Sequence, residues 1–202
     1  FEKGINEAGF TLLGWGNVGR AHLFSKGAEV RTPDDLKSRK PYMWRDDIIS
    51  PVFYQVVGAN PVPLNVTEVM SNLKTGAIDV INTPSLAADQ LQWASQLTHI
   101  SEDATGVGVG ALVMASKRLD AMPADLRAIV TDTGSVAAKA LGDKIRAEDE
   151  AAYKRLAGRM TVVTWTADEK AKWANAFKQT RSRLGQGTFP ADLVGKIEEH
   201  GK

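Results

Sequence analysis

The chain has 202 residues, 43% hydrophobic and 24% charged, with 25 Lys and Arg set against 24 Asp and Glu. This is the make-up of a folded globule rather than a disordered chain, and the near-zero net charge gives no field to hold a polyanion, so nucleic acid is not an expected partner. With no cysteine, disulfides, thiol nucleophiles and thiolate zinc sites are excluded, and the three histidines, His22, His99 and His200, lack the i, i+4 spacing of a helical metal site.

In chain order, FEKGINEAGF reads as the tail of a helix stopped at Gly9, as though a longer N-terminal part preceded it. Residues 10–13 are a short apolar run and 20–24 a second extended piece, with the glycines of GWGNVG, Gly14 to Gly19, between them. Thr32-Pro33-Asp34-Asp35 is a helix start, with Thr32 as N-cap and Asp35 returning the capping bond, although the helix it opens is very short. A strand follows at 41–44, a helix over 48–57 that stops at Gly58, and a strand at 61–64. Asn65 to Glu68 repeats the capping signature before a helix that carries Val69, Met70 and Leu73 and ends at Gly76. Residues 77–82 read as strand, 84–97 as helix, and 107–116 as a long apolar strand punctuated by Gly108 and Gly110. After Pro123 come long helices at 124–157 and 168–184 and a short one after Pro190. The order is α/β followed by a helical tail.

GWGNVG matches G-x-G-x-x-G after an apolar run, which raises an NAD-dependent oxidoreductase whose pyrophosphate would lie on a helix N-terminus. Against this, residues 20–26 supply only about two helical turns before Gly27, and Ala28-Glu29-Val30 leads to Arg31 instead of an acidic ribose ligand. The preferred reading is that the glycines mark a bend or close backbone approach within a strand. Glu68 suits a cap partner and Asp79 an anchor for backbone amides. No serine, histidine and acid set stands out, so neither catalysis nor a cofactor is expected.

The specific stretches are TPDDLKSRKPYMWRDD and GANPVPLNVTEVMSNLKTGAIDV. Thr32 to Lys37, Gly58 to Pro63 and Glu68 to Asp79 follow the order and spacing of a T-P-x-D-L-K-G segment, a G-A-x-P-V segment and E-V-x-x-x-L-x-x-G-x-I/V-D. In this the chain resembles the substrate-binding subunits of TRAP transporters, the dicarboxylate-binding-protein family. The resemblance runs from Phe10 through the helix after Pro123, and corresponds to roughly the later two thirds of a member.

That resemblance implies a two-lobed periplasmic binding protein of type II, with crossing hinge strands and a long bracing helix. Residues 1–24 would hold the end of the first lobe and the first crossing strand, 25–106 the second lobe and 107–122 the returning strand. Residues 123–202 would hold the long helix and C-terminal helices packing on the first lobe. It implies a periplasmic, non-enzymatic protein that captures a small organic acid for a TRAP permease.

The family's ligand-gripping arginine position is occupied here by Tyr42, with Trp44 on the same strand face, which weakens the case for a classical dicarboxylate. An aromatic strand, Pro61 to Leu64 and the Gln92-Trp93 pair resemble a branch whose members can work with a helical-repeat lipoprotein. Arg45 could replace the missing arginine or form a solvated ion pair with Asp46 or Asp47. Asn82, with Thr83 and Ser85, suits hydrogen bonds to a carboxylate or hydroxyl, or the capping of the next helix. Trp15 and Trp93 each suit a cleft wall or a core aromatic.

Overall fold

The computed structural model describes residues 1–200; the side chain of His200, with Gly201 and Lys202, lies outside the described residues. Helix α1 (Glu2–Glu7) leads through Gly9 into strand β1 (Phe10–Ser25), 16 residues long. A short 3-10 turn (Pro33–Ser38) precedes β2 (Tyr42–Trp44), α2 (Ser50–Val57) and β3 (Val62–Leu64). Next come α3 (Val69–Thr75), β4 (Val80–Pro84), α4 (Ser85–Gln90) and β5 (His99–Ala115). The remainder is α5 (Ser116–Asp120), α6 (Ala124–Ala157), β6 (Thr161–Val163), α7 (Ala167–Leu184) and α8 (Ala191–His200). Among the described residues no helix is long and apolar enough to cross a membrane.

The capping signatures form as their chemistry requires. Asp35 Oδ2 accepts the backbone amides of Arg31 at 2.9 Å and Thr32 at 2.8 Å, and Glu68 Oε2 accepts that of Asn65 at 2.7 Å. Asp79 Oδ1 accepts the Lys40 amide at 2.8 Å, the anchoring role expected of it.

Four boundaries differ from the sequence reading by three residues or more. The extended pieces at 10–13 and 20–24 are one strand. β4 starts at Val80 rather than 77, because the amides of Ala77 and Ile78 still bond back to Asn72 O at 2.9 and 3.3 Å. The helix expected over 84–97 stops at Gln90: Gln92 takes a left-handed φ of 60°, and a separate 3-10 turn, Trp93–Gln96, drops Trp93 into the core. β5 begins at His99, where it gains β6, a three-residue strand too short to show a periodicity.

The main sheet has the order β4-β1-β5-β6. β4 covers only Ala21–Ser25 of β1, and β6 only His99–Ser101 of β5, so Phe10–Arg20 and Val107–Ala115 pair only with each other as a two-stranded antiparallel ribbon. Where the sheet is four strands wide both faces are covered: Phe24, Ile81 and Ile100 are buried in one core and Leu23, Val80 and Val163 in the other. Burial on both faces is why these strands read as continuous apolar runs.

The second core draws α7 to an unexpected place. This helix, expected against the first lobe, lies instead against α2 and the Pro33–Ser38 turn. Trp173 stacks on Trp165 at 4.8 Å and on Phe53 at 6.3 Å, and its indole N–H donates to Arg31 O at 2.9 Å, so an aromatic cluster and a buried donor both fix it there.

The glycine motif is absorbed by α6. Gly134, Ala138 and Gly142 recur every fourth residue along one face of this 34-residue helix and meet β1 at Leu13, Gly14 and Asn17. A Cβ on Gly14 would stand 2.5 Å from Ala138 Cβ. Gly19 has a φ of 114°, and a Cβ there would meet the Asp149 carboxylate at 2.8 Å. Gly14–Gly19 therefore lies wholly within a strand, with no turn and helix start to cradle a pyrophosphate, and the NAD-type alternative is overturned.

Candidate ligand-binding cavity

Where the sheet widens, β1, β2, β4 and β5 meet α2 and α7 around a cavity of about 370 Å³. Its floor is Leu23, Leu36 and Met43, and Phe53, Trp173 and Phe177 form an aromatic wall. Strand β2 contributes Tyr42 and the half-exposed Trp44. Strand β4 contributes Asn82, whose carbonyl oxygen accepts the Thr105 hydroxyl of β5 at 2.7 Å; the same hydroxyl lies 3.1 Å from Ala21 O.

Polar groups sit at two corners. Asp47 accepts the amides of Ile49 at 2.7 Å and Ser50 at 3.2 Å together with the Ser50 hydroxyl, so its charge is spent on the start of α2. The Tyr54 hydroxyl donates to Tyr42 O at 3.1 Å, and burial pushes its pKa up, with the Asp47 charge adding to the effect. At the other corner the last turns of α7 bring Thr180 and Arg181, and Arg181 Nε donates to Glu198 of α8 at 3.0 Å.

Of the seven residues singled out from sequence, the structure brings Tyr42, Trp44 and Asn82 together here; Trp15, Arg45, Ser85 and Trp93 lie elsewhere. Trp15 is exposed on the ribbon, edge-on to Phe1 at 6.4 Å. Arg45, in the turn just past β2, pairs with Glu68 at 3.2 Å and not with Asp46 or Asp47. Ser85 is fully buried at the start of α4. Trp93 is a core residue, edge-on to Tyr42 at 6.2 Å. Sequence reading missed Phe53, Thr105 and the α7 residues, yet Trp173, Phe177 and Arg181 stand at i, i+4 and i+8, a spacing that places them on one helix face.

A second, open depression of about 740 Å³ lies beside Asp149 and is lined by Arg20, His22, Arg146 and Tyr153. Asp149 is buried and accepts the backbone amides of Arg20 at 2.8 Å and Leu86 at 2.9 Å, which fastens α6 to both β1 and α4. His22 stacks on Tyr153 at 4.5 Å, and desolvation by burial lowers its pKa. Among the described residues no group of three or more His, Asp or Glu could hold a metal ion.

Comparison with known proteins bears on the family and the fold. The model of the bacterial extracellular solute-binding proteins, family 7, matches residues 1–185. A solute-binding protein of Sulfitobacter sp. strain NAS-14.1 is 27% identical over 161 residues, covering 78% of this chain and 48% of its own. Among solved structures, a TRAP periplasmic solute-binding protein from Ralstonia eutropha H16 with bound (S)-2-acetolactate superposes with a TM-score of 0.86 at 20% identity, over 98% of this chain and 64% of its own. One from Shewanella oneidensis with bound succinate gives 0.84 at 22%, over 96% and 63%. One from Sulfitobacter sp. NAS-14.1 with bound β-D-galacturonate gives 0.84 at 19%, over 96% and 64%. The fold is that of the TRAP periplasmic binding proteins, and the chain spans about half the length of the first of these relatives and just under two thirds of each solved structure.

Proposed function

Because the chain belongs to the bacterial extracellular solute-binding proteins of family 7, we propose that it captures a small organic acid in the cavity between Tyr42, Trp44 and Asn82 and delivers it to a TRAP-type membrane permease. The observation that carries this reading is the cavity itself. It opens beside the crossing strands, its aromatic and aliphatic walls supply apolar area, and a few amide, hydroxyl and guanidinium groups are left to orient a polar guest. The ligands named for the three structures above all carry a carboxylate, which agrees with this chemistry.

On this reading the protein works in the periplasm by binding alone, without catalysis. Residues 1–24 carry the first crossing strand, 25–106 the ligand-holding lobe and 107–122 the return, while α6 braces both sides and α7 completes the wall of the lobe. The helical-repeat lipoprotein expected from the aromatic branch stands on the sequence resemblance alone.

Native mass spectrometry of the full-length protein as purified tests the proposal, together with thermal shifts across a panel of organic acids. A retained organic acid, or stabilisation by one at concentrations well above its Kd, that is lost when Tyr42, Trp44 and Asn82 are replaced by Ala supports it. No retained acid and no shift with any panel member refutes it.

A further inference from the structure

Resting on the reading that this cavity holds an organic acid, we infer that Arg181 is its carboxylate anchor and that the ligand is a monocarboxylate with an aliphatic or aromatic body. The cation is delivered by α7, the helix that also carries Trp173 and Phe177 of the aromatic wall.

Arg181 is the one cationic side chain among the residues that line the cavity. It follows Trp173 and Phe177 along α7 by whole turns, so the aromatic wall and the guanidinium belong to one helix face. Glu198 takes Nε at 3.0 Å and is itself half-exposed, which fixes the plane of the guanidinium from behind. Among the described residues the two terminal nitrogens have no hydrogen-bond partner in the protein. Those nitrogens form the edge that accepts a carboxylate through two parallel bonds.

The same inventory limits the ligand to one charge. Asp47, the acid in the wall, is occupied by amide and hydroxyl donors at the start of α2, and a second ligand carboxylate would face it or the walls of Leu23, Met43, Phe53 and Phe177. Burying a charge without a partner costs several kcal/mol. With its carbonyl oxygen taken by Thr105, Asn82 has its amide N–H groups left for one neutral acceptor on the ligand. The volume, about 370 Å³, sits at the small end of ligand cavities, which run from roughly 300 to 1,000 Å³.

Isothermal titration of the full-length protein with phenylacetate and 4-methylpentanoate, against succinate, glutarate and the uncharged phenylacetamide, tests this. The wild type is expected to bind a monocarboxylate at least about 10-fold more tightly than either dicarboxylate or the amide. A hydrogen-bonded charge contributes about 1.5–3 kcal/mol, so Arg181→Gln should raise Kd by about 10- to 150-fold. Arg181→Lys should restore part of that loss, and Arg183→Gln, the same charge change outside the cavity, should alter Kd less than about twofold. Thermal unfolding of each variant within about 2 °C of wild type shows that the loss belongs to the site. An Arg181→Gln protein that binds as tightly as wild type overturns the anchor while leaving the cavity reading intact. A preference for a dicarboxylate overturns the ligand class. A wild-type protein that binds none of the organic acids overturns the reading beneath both.

Discussion

Replacing Gly14 with Ala isolates the contact that explains the glycine motif. The added Cβ would stand 2.5 Å from Ala138 Cβ, with Ser135 Cα at 3.6 Å and Gly134 O at 3.8 Å as its next neighbours. Two methyl groups rest at about 3.5–4.0 Å, so α6 and β1 must part locally by about 1 Å or more. Overpacking of this kind costs about 1–3 kcal/mol, and for a chain of this size each kcal/mol lowers Tm by about 2–4 °C. Ala138→Gly alone costs about 1 kcal/mol in helix propensity. In the double variant the clash is gone and the remaining neighbours are at ordinary contact distance, so adding Gly14→Ala to Ala138→Gly should cost little. Urea unfolding of the four proteins, followed by tryptophan fluorescence and circular dichroism, gives the coupling directly; it should favour the double variant by at least 0.5 kcal/mol. Additive effects would show that the helix does not lie on the strand at this point, and the close-approach account of the motif would fail.

Asp149→Ala strips the part-buried amides of Arg20 and Leu86 of their acceptor and should cost about 1–3 kcal/mol in unfolding free energy. Asp149→Asn, which keeps one acceptor oxygen, should lose less; equal losses would argue against the two-amide clamp. His22 is held below its ordinary pKa by burial, so the unfolded chain binds the extra proton first and stability should fall as pH drops below about 6.5. His22→Gln should flatten the dependence of Tm on pH over that window, and an unchanged slope would refute the assignment. Glu169, hydrogen-bonded by Arg31 and by the Thr166 amide, has its pKa drawn down to about 2. The stability it contributes is present above the unfolded value near 4.3 and is lost as pH falls towards 2, so acid titration of Glu169→Gln should show a shallower loss across that range. The wild-type loss should also weaken in high salt, because the Arg31 side of this pair is exposed.

The local grammar of the chain was legible wherever one residue type has one physical job. Thr32 and Asn65 announced helix starts because Asp35 and Glu68, three residues on, reach back to accept their free amides, and Gly58 and Gly76 announced stops. The α6 boundaries were equally readable, set by Pro123 and Gly158. What failed depended on partners distant in sequence. β5 is longer than its apolar run because Ser25 and β6 supply hydrogen bonds to His99–Ser101, residues with no strand-like pattern of their own. The helix at 84–97 broke at Gln92 because Trp93 gains more by burial against Tyr42 than the helix gains by continuing. The cavity was half legible for the same reason. Tyr42, Trp44 and Asn82 are placed by the early α/β segment, but Arg181 reaches them only because Trp173 and Phe177 stack on Phe53, a contact across more than a hundred residues.

On the proposed reading, the same geometry separates the part of the molecule that bends from the part that chooses a ligand. From Phe10 to Arg20, β1 has only β5 beside it, and the ribbon carries register shifts at Leu12/Gly14 and Asn17/Gly19. A two-stranded ribbon is the least sheet a chain can form, and here α6 packs along it at Leu13, Gly14 and Asn17. From Ala21 onward β4 joins, both faces are covered, and Asp149 ties α6 to Arg20 and Leu86 at the very place where ribbon becomes sheet. α6 is about 51 Å long at 1.5 Å per residue, and its small residues let it follow the ribbon closely. On the proposed binding reading bending falls in the ribbon, while the walls of the cavity belong to the covered sheet, to β2 beside it and to helices packed on them. Closure over a ligand would move a surface onto the cavity's exposed rim, where Trp44 and Ile49 stand, without altering the walls that set specificity. It follows that substitutions in the ribbon should change how fast a ligand enters and leaves, whereas substitutions at Arg181 or Asn82 should change which ligand is held.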